Sequence, residues 1–575
     1  MKILVNHLGY DARGPKSAVI QIEGSDGGSG QTVRAACTLI DSRTGAEVFS
    51  GQACEPDGVL RWKDWRFARF DFSGFERPGS YLVRTVAPGG AVDSAPFEIA
   101  ERLVPRRTLS DIVHYFKSQR ASGRYDRADR EVPFFGGRKG TVDVHGGWYD
   151  ASGDLSKYLS HLSYANTMNP QQTPIVVWCL LEGLERLKHA DEPLAAALED
   201  RVLQEALHGA DFLVRMQDPS GYFYATVFDV WSHDPGRRAI CSFSTQKGIL
   251  SAEYRAGFRQ GGGAAIAALA RMSRRGLEGD HAPGVYLATA EKGFRHLQEH
   301  SPEYLPDGRE NIIDDYCALL AACELLAATG RDEYRSAARA RAKNLASRIS
   351  RDERFAGWWR ADDRGELPYF HAAEAGLPVL ALIRFLQTAP ENPSAAAARE
   401  AIRASLAVEL EVTREVFNPF GYARQYCRPT GGAKRSSFFI PHANPTGYWW
   451  QGENARIASL AAAARAASLL PLAGESGMVP ALREYAADQM NWILGLNPYD
   501  ACMLHGKGRN NPEYEGGWFN APGGIANGIT SGFRNEEDID FLPEEVAHDG
   551  MHRWRWSEQW IPHAAWFFLA ACMAP

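Results

Sequence analysis

The spacing of apolar and polar positions changes period near residue 103. Before it, runs such as KILVNHLGY, SAVIQI, ACTLI, FARFDF and SYLVRTV alternate apolar with polar residues, and clusters such as EGSDGGSGQ and FERPGS part them. A period of two between Gly, Pro and Asp turns predicts a small antiparallel sandwich. From Arg107 the period becomes helical, with apolar residues at i, i+3, i+4 and i+7 in stretches such as IVVWCLLEGLERL. About twelve helices are predicted, near 107–120, 173–189, 195–216, 260–275, 285–299, 312–329, 332–349, 371–388, 397–416, 451–470, 479–494 and 558–573. With no strand alternation between them, they suggest a closed ring of helical hairpins rather than a doubly wound sheet. The expected division is a β-sandwich over 1–103 and a helical domain over 104–575.

Four connections are longer than helix–helix loops require: 136–172, 218–250, 417–450 and 497–557, all rich in Gly, Trp and Asp. Loops of that kind are where function tends to sit. No internal repeat of fixed period is apparent.

Charge and composition then exclude several classes. The 575 residues carry a formal net charge of −7 and no Lys/Arg run, which argues against a nucleic-acid partner and suits a neutral or cationic ligand. The N-terminal MKILVNHLGY meets Asn6 and His7 before a signal-length apolar stretch can form, and no later stretch is apolar enough to span a bilayer. Nine cysteines, an odd number with no CxxC pair, read as reduced core thiols and support a cytoplasmic address. No zinc-ligand spacing is present, and neither a metal nor a cofactor is expected.

Candidate chemistry concentrates in three stretches. In GGWYDASGDLSKYLS, Asp150 and Asp154 crowd two carboxylates four residues apart, after two glycines and the flat faces of Trp148 and Tyr149, which suit sugar stacking. The plain structural alternative is a turn in which Asp154 caps a helix starting near Leu155. In QMNWILGLNPYDACMLHGKGRNNP, the glycine-rich loop lacks the Lys-Ser/Thr ending of a phosphate loop, so nucleotide binding is not expected. In WRWSEQWIPHAAWFFLAA, Glu558 stands just ahead of, or within, the first turn of the last helix, where Pro562 is tolerated. A carboxyl among Trp554, Trp556 and Trp560 is partly desolvated, which favours the protonated form that a general acid needs.

Together these stretches resemble glycoside hydrolase family 9. GGWYDASGD is similar to its GGWYDAGD segment, ILGLNPYDACMLHGKGRNNP to its ILGxNPxxxSYxxGxGxNxP segment, and SEQWIPHAAW stands where its NEVAxDYNA segment stands. VNHLGYDARGPKSAVI resembles the opening of the immunoglobulin-like domain that precedes many of these catalytic domains, and DDYCALLAACELLAATG looks like a helix of the family's (α/α)₆ barrel. The resemblance implies an inverting glycosidase with Asp154 as general base, Asp150 holding the attacked water and Glu558 as general acid. EEVAHD at 544–549 copies the letters of NEVAxD more closely, but only Glu558 leads directly into an apolar helix, which favours it over Glu545.

The departures from the family bear on the substrate. ASGD carries one residue more than AGD between the carboxylates, and EYEGGW, with Glu513 and Glu515, replaces the His-His-Arg segment with which the cellulases bind sugar hydroxyls. Acidic groups in place of a cation suit an amino sugar, whose ammonium pairs with Asp150 or one of these glutamates. The chain thus resembles the exo-β-D-glucosaminidase branch, with chitosan oligosaccharides as the expected substrate. Trp450, Glu453, Trp556 and Asn510 are further expected substrate contacts; Trp231, Trp449 and Trp518 are as well explained by packing. The alternatives are a β-glucosidase or endoglucanase acting on cello-oligosaccharides or cellulose, and a sugar-binding protein that has lost its chemistry.

Overall fold

Two small sheets open the chain. In this computed structural model, which describes all residues except 24–34, 88, 162–166, 245–246, 472–476, 515–518 and 575, one sheet orders Lys2–Leu4, Ser17–Ile22, Arg66–Asp71 and Asp57–Gly58. The other orders Gly9–Asp11, Phe97–Ala100, Gly79–Ala87, Ala36–Asp41 and Glu47–Gln52, with Gly90–Asp93 paired to Gly79–Ala87. In Gly79–Ala87, Tyr81, Val83 and Thr85 point into the core and their neighbours are more exposed, as a period of two requires. Tyr10, Phe70, Phe72 and Phe97 fill the space between the sheets.

Among the described residues twelve long helices follow: α1 Leu103–Ser118, α2 Thr173–Ala190, α3 Glu192–Arg215, α4 Gly262–Ser273, α5 Pro283–Tyr304, α6 Ile312–Thr329, α7 Asp332–Ala346, α8 Leu377–Thr388, α9 Ala395–Arg414, α10 Asn454–Ala467, α11 Met478–Ile493 and α12 Ile561–Cys572. The even-numbered helices pack in sequence, α2 on α4, on through α6, α8, α10 and α12, and α12 back on α2. They form a closed inner ring, and the odd-numbered helices lie outside it, an (α/α)₆ barrel. The sequence explains which helix goes where. Every residue of α10 and α12 is buried, as befits helices without a polar face, whereas α7 and α9 keep one buried stripe.

Connections at the two ends of the barrel differ. Inner helices hand over to outer ones through short links such as 191 and 330–331, while the returns to the inner ring include 119–172, 216–261, 415–453 and 494–560. All long returns therefore meet at the end where the inner helices begin. That end exposes helix N-termini, whose unpaired N–H groups favour negative charge nearby.

The expected helix over 371–388 begins at Leu377, because the N–H groups of Ala373 and Glu374 donate to His371 Nδ1 in a turn before it, at 3.0 and 3.1 Å. All nine cysteines are free, and no helix among the described residues is long and apolar enough to cross a membrane.

The sandwich is fastened to the barrel. Arg69 grips Asp488 of α11 through two 3.0 Å hydrogen bonds, and Asn6 Nδ2 donates to Asn491 Oδ1 at 2.8 Å.

Candidate active site

Asp150 and Asp154 sit on a tight β-turn at the barrel mouth. Ala151 and Asp154 exchange backbone hydrogen bonds of 3.2 Å, which leaves Ser152 and Gly153 at the tip. No helix starts at Leu155, which corrects the capping alternative; Asp154 Oδ1 instead accepts the Ser156 N–H at 2.9 Å, and strand Lys157–Tyr158 follows. That strand is anchored from behind. The buried Lys157 ammonium lies 2.7 Å from Asp129, which also forks onto Arg238, and burial pushes the Lys157 pKa down to about 8.

Glu558 lies between the short helix Gly550–Ser557 and α12. Four hundred residues separate it from the Asp150 turn, yet the two segments are zipped together. Ser152 N–H donates to Gln559 O at 2.9 Å, Gln559 N–H donates to Ser152 Oγ at 2.8 Å, and Ile561 N–H donates to Asp150 O at 3.1 Å. Ser152 of ASGD thus ties the turn to the segment that carries Glu558. Gly153 faces Glu558 directly, and a β-carbon there would stand 2.5 Å from both Glu558 Oε1 and Tyr514 Oη.

The three carboxyls share one cleft, with about 840 Å³ of empty space, whose walls include Trp231, Trp449, Tyr514, Trp554 and Trp560. No Lys or Arg lines it among the described residues. Each carboxyl is held differently. Asp154 Oδ2 accepts from Tyr158 Oη at 2.6 Å and from Trp231 Nε1 at 2.8 Å, giving this group three donors with Ser156 N–H. Asp150 accepts from Trp560 Nε1 at 3.0 Å and from the Gln172 side-chain amide.

Burial raises all three pKa values, and the neighbouring charges add to it. Burial, then Asp154 and Glu558, hold Asp150 well above the usual carboxylate range. Burial and Asp229 raise Asp154, against the opposing pull of its three donors. Burial and the Asp154 charge push Glu558 up to about 8. Donors that favour the charged form thus concentrate on Asp154, while Glu558 keeps its proton at neutral pH. Glu545 lies elsewhere, in an exposed loop, paired with Arg534.

Several expected sugar contacts are not at the cleft. Trp148 is fully buried against Phe116, its Nε1 donating to Glu205 at 3.3 Å, and Tyr149 packs edge-on to Tyr125: both are core residues, because the two glycines before them turn the chain inward. Glu453 is consumed in a buried pair with Arg456 and in accepting the Ile440 N–H. Trp450 stacks on His442 with ring centroids 3.9 Å apart, and Trp556 is buried with its Nε1 donating to Thr530 at 2.9 Å. The loop carrying Asn510 is a buttress between the domains: Arg509 N–H donates to His7 Nδ1 at 3.2 Å, and Asn510 Nδ2 to Asp500 O at 2.8 Å. Glu513 is exposed and does not line the cleft, and Glu515 and Trp518 lie outside the described residues.

Sequence reasoning missed Tyr158, His161, Gln172 and Tyr514, while Trp560, expected beside Glu558, lines the cleft. Tyr158 lies on the short strand Lys157–Tyr158 that leaves the turn, and His161 lies three residues further on, beyond its end, so strand alternation alone would not have placed both at the carboxyls. His161 is wedged against the Trp449 ring at 4.2 Å and the Tyr158 ring at 5.0 Å, and burial pushes its pKa down to about 3.

The profile described as "Glycosyl hydrolase family 9" matches residues 106–515, and that of the "Cellulase N-terminal ig-like domain" matches 1–89. The first match ends before Glu558, so the place of Glu558 in the cleft rests on the geometry above. Among solved structures, a metagenome-derived glycoside hydrolase family 9 endoglucanase superposes with a TM-score of 0.68 at 19% identity, over 100% of this chain and 99% of its own. A family 9 glycoside hydrolase of Bacteroides ovatus gives 0.66 at 18% identity, over 100% and 98%. At such identities the likeness is one of fold. No curated protein matches the chain.

Proposed function

Since the chain belongs to glycosyl hydrolase family 9, we propose that it is an inverting, exo-acting hydrolase that releases glucosamine from the non-reducing end of chitosan oligosaccharides. The observation that carries this reading is a cleft holding three buried carboxyls and, among its described lining, no cationic side chain. Asp154, with three donors on its carboxylate, is the base that activates water; Glu558, carrying its proton, is the acid that protonates the leaving oxygen. Asp150 holds the water and pairs with the substrate ammonium. With Glu453 consumed by Arg456 and Glu513 outside the cleft, Asp150 is the carboxylate best placed for that pairing. The division of labour between domains is part of the same proposal: a sandwich over 1–103 and a catalytic barrel over 104–575.

A second reading is a β-glucosidase or endoglucanase acting on cello-oligosaccharides. It is favoured by the structural relative named an endoglucanase, which matches along the full chain. Chitosan disaccharide and cellobiose at equal concentration separate the two. Faster release of glucosamine, appearing first as the α-anomer by NMR, is the expected result; faster cleavage of cellobiose overturns the amine reading, and a β-anomer appearing first overturns inversion.

A further inference from the structure

We infer that Asp150, Asp154 and His161 form a binding site for a divalent transition-metal cation of the zinc class, and that its occupancy blocks the cleft. Each residue offers one ligand atom, and the three atoms lie within 4.8 Å of one another. After a small closing movement they can ring a cation whose bonds are about 2.0–2.2 Å long.

The two carboxylates have acceptor capacity left. Each carboxylate oxygen has two acceptor sites. Asp154 Oδ1 spends one on Ser156 N–H, Asp154 Oδ2 spends both on Tyr158 and Trp231, and each Asp150 oxygen spends one, on Gln172 or on Trp560. Those same hydrogen bonds fix the direction of the carboxylates, as partners behind metal ligands do. His161 is held between the Trp449 ring at 4.2 Å and the Phe243 ring at 5.6 Å. The cleft supplies room for water in the remaining coordination positions.

Donor type sets the class of metal. One imidazole nitrogen with two carboxylates suits Zn²⁺, Co²⁺, Ni²⁺ or Cu²⁺, whereas Mg²⁺ and Ca²⁺ take all-oxygen shells of six or more. The binding claim stands on the geometry alone. The blocking claim rests also on the proposed function, since a cation there occupies the carboxylates that would hold water and ammonium.

Isothermal titration of the chelator-treated full-length protein with ZnCl₂ tests the binding. One equivalent is expected for the wild type, weakened on the order of 10–100-fold or more in His161→Gln and in Asp154→Asn, with no uptake of Mg²⁺ or Ca²⁺. No zinc uptake by the wild type, or uptake unchanged in both variants, overturns the site. Co²⁺ added to the wild type gives a readout independent of the variants: visible d–d absorption without a thiolate charge-transfer band is expected, and a thiolate band would assign the metal to cysteines instead. Zinc should also inhibit turnover in competition with substrate and release it on adding EDTA. Calorimetric binding without inhibition would retain the metal site and overturn its blocking role together with the assignment of these carboxylates to catalysis.

Discussion

Gly153 lies directly against the carboxyl of Glu558, close enough that a single added β-carbon would stand 2.5 Å from Oε1. The turn that carries Asp154 is therefore also the floor beneath Glu558, and the spacing of the two groups is set by one residue without a side chain. The Gly153 N–H further donates to the Glu558 carboxyl, a hydrogen bond that opposes the upward shift of its pKa.

Gly153→Ala should consequently displace the acid while sparing the fold, since Ser152 and Gln559 still zip the two segments together. A misplacement of about 1 Å at a reacting group costs on the order of 10²-fold in rate. Steady-state kinetics should show kcat falling by about that factor, with an unchanged far-ultraviolet circular dichroism spectrum. Activity near wild type would mean that Glu558 does not act from this position.

Asp154→Ala and Glu558→Gln should each lower kcat by about 10²–10⁴-fold. Glu545→Gln is the matched control, because Glu545 is exposed and pairs with Arg534 away from the cleft. It should leave kcat within a factor of about two. An inactive Glu545→Gln beside an active Glu558→Gln would reverse the assignment of the acid.

Much of this architecture could be read from the chain. The shift from a period of two to one of 3.6 located the sandwich and the barrel, since each period reports which face of an element meets the core. That Glu558 rather than Glu545 reaches the cleft was legible because an apolar helix follows Glu558 directly. What could not be read was the inward turn of the chain at Gly146 and Gly147, both at positive φ, which sends Trp148 and Tyr149 into the core. The same blindness applied to Trp450 and Trp556, whose partners His442 and Thr530 come from tertiary contacts that no local pattern announces, whereas the i,i+3 spacing of Glu453 and Arg456 was a local signal for their pairing. Asn510 belongs to a motif that looks chemical, yet its loop braces the interface with His7.

The pH profile of kcat/KM should be bell-shaped, with both limbs above the ordinary carboxylate range. Its alkaline limb reports loss of the acid's proton and should fall near pH 8, where burial and Asp154 hold Glu558. The acidic limb reports protonation of Asp154, raised by burial. Tyr158→Phe removes a 2.6 Å donor that favours the charged Asp154. Losing such a donor raises the carboxyl's pKa, so the acidic limb should move to higher pH while the alkaline limb stays near its place. A shift to lower pH, or none, would show that Tyr158 does not stabilise the charged base.

Asp150→Asn separates the two tasks proposed for Asp150. Burial and two neighbouring carboxyls hold the free Asp150 well above the usual range, so an arriving ammonium meets a group that gains a partner by ionising. Asparagine keeps the size and one acceptor oxygen but not the charge, and truncating one side of a desolvated charge pair costs roughly 2–5 kcal/mol. The kcat/KM for p-nitrophenyl β-glucosaminide should therefore fall by about 30-fold or more beyond the fall for the β-glucoside. Part of the loss is common to both substrates, because Asp150 also holds water, and the ratio between substrates isolates the part due to the amine. The N-acetylated substrate, which lacks the charge, should be poor with the wild type and should lose only the common part in the variant. An equal loss on glucosaminide and glucoside would leave Asp150 with the water alone and place amine recognition elsewhere in the cleft.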